Sequence, residues 1–147
     1  MKKIIVITFF LFCGVTGANA QVAVIAHKSV PITKIERSLL LDLYTGDIRI
    51  WSDGEPVIVF DLKPKGEVRK TFYKFLGKSS SRMKSIWMKR MLSGEGDPPE
   101  AIKSEQEMIE KINSTPGAIG FVSQSIVSKN VRILVSIEKN IDQIIRK

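Results

Sequence analysis

The stretch Ser114 to Val122, reading STPGAIGFV, constrains the fold more tightly than any other part of this chain. Pro116 has no N–H and clashes with a preceding helical turn, so a helix approaching from the N-terminal side must stop there. Gly117 and Gly120 allow backbone angles or close approaches that a Cβ would forbid. Ile119, Phe121 and Val122 then supply the apolar, β-prone run of a short buried strand. A sharp turn between a helix and a buried strand is therefore expected here, and the rest of the chain must build a sheet around it.

The first twenty residues read as an address. Lys2 and Lys3 form a positive start, Ile4 to Phe12 an apolar segment, and Ala18-Asn19-Ala20 an A-x-A cleavage site. The apolar run is well short of the roughly 20 residues a membrane-spanning helix requires. A signal peptide over residues 1–20 is expected, with Gln21 the mature N-terminus and the periplasm the destination. Cys13 does not make a lipoprotein signal, because bulky Phe12 stands where a small residue is needed. It is also the only cysteine, so disulfides and thiol chemistry play no part after cleavage. Residues 21–147 fit one domain. Loss of Lys2 and Lys3 lowers the formal charge from +8 to +6. Such a basic balance suits anionic solutes, anionic lipid or acidic protein surfaces, and export argues against nucleic acid.

Along the mature chain, Val22 to Ala26 (VAVIA) is an apolar run of strand length, consistent with a strand covered on both faces. Thr33 precedes Glu36 by three, a capping-box pattern. With Ile35, Leu39, Leu40 and Leu43 at helical spacing, it predicts a helix from about Lys34 to Tyr44, ending near Gly46. Trp51 to Gly54 reads as a turn, and Val57 to Phe60 (VIVF) as a second buried strand. Gly66 opens a helix with Val68, Phe72, Phe75 and Leu76 on one face, ended by Gly77. The serines at 79 to 81 start another, with Met83, Ile86, Trp87 and Met91 expected to face inward. Gly94 to Pro99 is loop-like. Ser104 with Glu107 starts a helix carrying Met108, Ile109 and Ile112. The opening motif supplies a third strand, Val131 to Val135 a fourth, and Ile137 to Arg146 is expected to form a terminal helix. Strands separated by helices predict an α/β fold around a mixed sheet of four to five strands.

Enzyme chemistry finds few candidates. His27 is the only histidine, no GxSxG elbow is present, and an ordinary transition-metal site needs several His or Cys ligands. No catalytic residue, metal or cofactor is expected. Anion binding fits better. Asp61 to Lys70 (DLKPKGEVRK) runs from a strand through a turn into a helix, whose first N–H groups and positive dipole end suit an oxyanion. Gly66 is the candidate backbone donor there. Lys65 and Arg69 add charge, and Arg69 can meet an oxygen pair. Asp61 is a candidate acceptor for a protonated phosphate oxygen.

The combined landmarks resemble those of phosphate ABC transporter substrate-binding proteins, the extracytoplasmic receptors of ABC importers. Gly46-Asp47-Ile48, Trp51 and Asp53-Gly54 look like that family's helix end and W-x-D/N-G turn. Phe72, Tyr73, Phe75 and Leu76 match its FxxYL-like helix face, and Trp87 and STPGAIGFV stand at its later landmarks. The likeness covers Val22 to Val122. It implies a single periplasmic-binding-protein-like lobe over residues 21–147, phosphate or a related oxyanion as ligand, and an ABC permease or another envelope protein as partner. The family's second anion contact, from the loop after the first strand, would here be Ser29. Two departures accompany the likeness. The family's Gly-Ser-Gly-Thr/Ser turn is here Lys65-Gly66-Glu67-Val68, and a full receptor has two lobes where this chain has room for one. An interaction or assembly protein that keeps the fold without the solute is the alternative reading of these residues.

Overall fold

The computed structural model describes residues 21–139. The expected signal peptide and most of the expected terminal helix lie outside them. Five strands form one mixed sheet: β1 (Val22–Ala26), β2 (Ile58–Leu62), β3 (Glu100–Ile102), β4 (Ala118–Ser123) and β5 (Arg132–Ile137). Their spatial order is β3-β2-β4-β1-β5. β2 runs parallel to β3 and β4, whereas β1 lies antiparallel to both β4 and β5. All five residues of β1 are buried, as a continuous apolar run between two partner strands requires.

Helices α1 (Arg37–Thr45), α2 (Glu67–Leu76) and α3 (Ser80–Leu92) pack on one side, and α4 (Glu105–Ser114) covers the other. β4 shows how one strand serves both layers. Phe121 stacks on Phe72 of α2, with ring centroids 3.8 Å apart, and Tyr44 of α1 closes edge-on against Phe72 at 4.8 Å. On the opposite face, a Cβ on Gly120 would stand 2.5 Å from Met108 Sδ and 2.7 Å from Ile112 Cδ1 of α4. Glycine thus lets α4 seat against the sheet. Burying each such aromatic or aliphatic side chain contributes about 1.5–3 kcal/mol, and Tyr44, Phe72, Phe121, Met108 and Ile112 are all fully buried.

Helix boundaries follow local chemistry. Ser79 caps α3 by accepting a hydrogen bond from Arg82 N at 3.1 Å, and Ser104 caps α4 through Glu107 N at 3.1 Å. The expected Thr33–Glu36 box does not form. α1 begins at Arg37, with Glu36 at its cap position and no side-chain cap. The cause is tertiary: Ile35 N donates to Leu134 O of β5, which holds that segment extended beside the sheet. Three further expectations shift. β2 runs on through Asp61 and Leu62, because Phe60 to Leu62 find pairing partners in the unforeseen strand β3. Ile137 belongs to β5 instead of a terminal helix. Met91 is 41% exposed. α3 is the outermost helix, and Met83 is its one fully buried side chain.

The turn before β4 holds several segments at once. Gly117 has φ +77, a left-handed conformation that a side chain resists. Its N–H donates to Ser29 Oγ at 3.0 Å. Its carbonyl accepts from Trp51 Nε1 at 2.9 Å and from Ile58 N at 3.1 Å. STPGAIGFV and the Trp51 turn therefore meet at one peptide group.

Candidate functional site

β2 delivers Asp61 to the sheet end where the chain turns into α2. Lys65 there adopts φ +85 and Gly66 φ +134. Gly66 occupies the cap position of α2 without a side-chain cap, so no capping side chain satisfies the first amides of the helix. A recess beside the turn, about 330 Å³, is lined by Lys65, Gly66, Arg69, Lys70 and Tyr73, and by Ser80 at the start of α3.

Arg69 lies in the first turn of α2. Four of its five N–H hydrogens are engaged within the protein, so the expected grip on an oxygen pair is reduced to the single hydrogen left at Nη1. Its Nε and Nη2 donate to Asp61 Oδ1 and Oδ2 at 3.3 and 3.1 Å, Nη2 also reaches Tyr73 Oη at 2.9 Å, and Nη1 reaches Ser80 Oγ at 2.6 Å. The guanidinium carbon lies 4.2 Å from the centroid of the Tyr73 ring, within cation–π range. Asp61 also accepts from Leu62 N at 2.8 Å and from the Tyr73 hydroxyl. Four donors use the acceptor capacity of a carboxylate. Asp61 is thus a positioning group for Arg69, and the expected role as acceptor for a protonated ligand oxygen is not available in this arrangement.

Burial and the neighbouring Asp61 charge push the Tyr73 phenol well above its ordinary range, with Arg69 opposing the shift. Tyr44, fully buried and donating to Phe60 O at 2.8 Å, is raised too, by burial first and then by the charge of Asp61. Glu67, whose charge opposes an anion at the helix start, is paired with Lys70 at 3.7 Å on the surface.

Lys65, Gly66, Asp61 and Arg69 are therefore brought together. Ser29 is not. Ala26 of β1 pairs with Ile119 near the start of β4, and Ile58 at the start of β2 pairs with Ala118. The loop after β1 consequently lies at the opposite end of the sheet from the turn after β2. There Ser29 meets His27 Nδ1 at 2.8 Å and accepts from Gly117, a structural role. Tyr73 and Ser80 are members of the cluster that sequence reasoning missed as site residues. The i, i+4 spacing of Arg69 and Tyr73 on a helix was the available signal. No group of three or more His, Cys, Asp or Glu side chains among the described residues is arranged to hold a metal ion.

This three-layered α/β architecture shares the periplasmic-binding-protein-like fold of solved transport receptors. The chain is similar in structure to an ABC-type phosphate transport receptor from Vibrio cholerae, with 20% identity and a TM-score of 0.63 over 78% of this chain and 46% of that one. It is equally similar to a protein from Clostridium perfringens assigned as a phosphate ABC transporter substrate-binding protein and solved with bound phosphate, with 20% identity and a TM-score of 0.65 over 78% and 45%. PstS from Borrelia burgdorferi gives 18% identity and a TM-score of 0.57 over 78% and 47%. The chain thus spans about half the length of each of these structures. No protein-family model and no curated protein sequence matches it.

Proposed function

We propose that this chain is a secreted, non-enzymatic binding module that holds phosphate or a related small oxyanion at the amino end of α2, and that it serves an ABC permease or another envelope protein. The observation that carries this reading is the Arg69 guanidinium, pre-oriented by Asp61, Tyr73 and Ser80 beside a helix start that has no side-chain cap. Fixing the guanidinium beforehand removes much of the ordering cost of binding. The helix amides supply donors, and Lys65 supplies further positive charge. The fold shared with phosphate transport receptors supports the same reading. An N-terminal signal peptide would place residues 21–147 in the periplasm. No helix among the described residues is long and apolar enough to cross a membrane.

The site is open on one side, so the ligand stays partly hydrated and its affinity falls steeply with salt. Titration calorimetry with phosphate, sulfate and molybdate tests the proposal. Measurable heat with at least one of them is expected. Absence of heat and of any thermal shift at millimolar ligand overturns it.

A further inference from the structure

The positive charge of this protein is not spread over its surface. Between Lys63 and Arg90 the sequence carries ten Lys or Arg residues and a single acid, Glu67. Elsewhere thirteen cations meet fourteen acids. The excess therefore resides almost wholly in the α2–α3 layer, far more than one small oxyanion requires.

The outer face of α3 adds a second property. Ser81, Lys84, Ser85, Met88, Lys89 and Leu92 share one shallow, open stretch of surface, at the spacing of a single helical face. Met88 is 44% exposed and Leu92 83%, with Met91 beside them. α3 contains no acidic residue at all. Arg82, Lys84 and Lys89 have no acidic partner among the described residues, whereas Arg90 is paired with Asp47 and Glu95.

We infer that α3 is a peripheral docking face for an anionic lipid bilayer. Exposed, flexible Met and Leu side chains on this open face fit between lipid headgroups, while flanking lysines meet the phosphates. Specific protein interfaces are instead anchored by aromatic or Arg side chains in desolvated pockets, and this face carries neither. Lysine stems along the same face extend its apolar surface while their ammonium groups stay at the phosphate level.

The test is co-sedimentation of the purified protein with phosphatidylcholine vesicles containing about 30 mol % phosphatidylglycerol, against phosphatidylcholine alone. Binding to the anionic vesicles at low salt is expected, with loss at about 0.5 M salt. Lys84→Glu with Lys89→Glu should weaken it at least about tenfold. Met88→Ser with Leu92→Ser, which leaves the charge unchanged, should weaken it severalfold. Lys103→Glu with Lys129→Glu, an equal charge change on exposed residues outside the layer, should hold within about twofold. Circular dichroism melts establish that each variant is folded. Three results overturn the inference: no vesicle binding at low salt, equal binding to neutral vesicles, or equal loss in the Lys103/Lys129 variant. Capture by soluble polyglutamate with none by vesicles overturns it in favour of an acidic protein partner.

Discussion

Asp61 and Arg69 are joined by two hydrogen bonds, 3.3 Å from Nε and 3.1 Å from Nη2, although one lies in β2 and the other in α2. Both side chains are largely buried, at 12% and 13% exposure, so neither charge has enough water to replace its partner. Asp61→Ala should therefore destabilise the fold by about 3 kcal/mol, and Asp61→Asn, which keeps an acceptor, by about half as much. Urea unfolding measures both. Because Asp61 offsets the charge of Arg69, Asp61→Asn should also tighten phosphate binding severalfold in calorimetry if the proposed site is correct.

Lys65 holds a left-handed backbone conformation that costs a non-glycine residue roughly 1 kcal/mol. Lys65→Gly should leave stability unchanged or raise it by up to about 1 kcal/mol. The same variant should lose phosphate affinity severalfold, since a charge beside the helix start is gone. Binding unchanged in a folded Lys65→Gly protein would remove Lys65 from the site.

Ser29→Ala should reduce stability by about 1–2 kcal/mol, because the N–H of Gly117 loses its acceptor. Its effect on oxyanion binding should be nil, as Ser29 stands at the other end of the sheet. A fall in affinity without a fall in melting temperature would contradict this placement.

Two glycines in the same motif should respond differently to alanine. At Gly117 a Cβ would lie 2.4 Å from the carbonyl oxygen of Pro56, a backbone atom that cannot step aside, and φ is positive. At Gly120 it would meet the ends of Met108 and Ile112, which can. Chemical denaturation should show a loss of at least about 3 kcal/mol for Gly117→Ala and about 1–2 kcal/mol for Gly120→Ala.

The chain has two tyrosines, Tyr44 and Tyr73, and both have raised phenol pKa values in the fold. An unfolded tyrosine releases its proton near pH 10, whereas these keep theirs. The folded state then binds more protons than the unfolded one, so stability is fully present below about pH 10 and falls as pH rises beyond it. Absorbance at tyrosinate wavelengths should stay flat past pH 10 and rise only as the protein unfolds. A smooth ionisation near pH 10 in folded protein would refute the burial of these hydroxyls.

Local sequence determined most of the elements, though not β3 or the start of α1. The VAVIA run, the capping serines at 79 and 104, and the Pro-Gly turn before β4 act through neighbours a few residues away, so a linear reading finds them. The Thr33–Glu36 box shows where such a reading ends. Its backbone is held by Leu134, about a hundred residues away, and no local pattern records that hydrogen bond. The site divides along the same line. Gly66 and the charges around it were legible, because a glycine turn entering a helix is a local device. The full occupation of Asp61 and the inclusion of Ser80 were decided by how α2 and α3 pack beside the end of β2, and the removal of Ser29 to the far end of the sheet by strand order. β1 inserts antiparallel between β4 and β5, and a chain's pairing partners are chosen by burial over the whole molecule, which no single segment encodes.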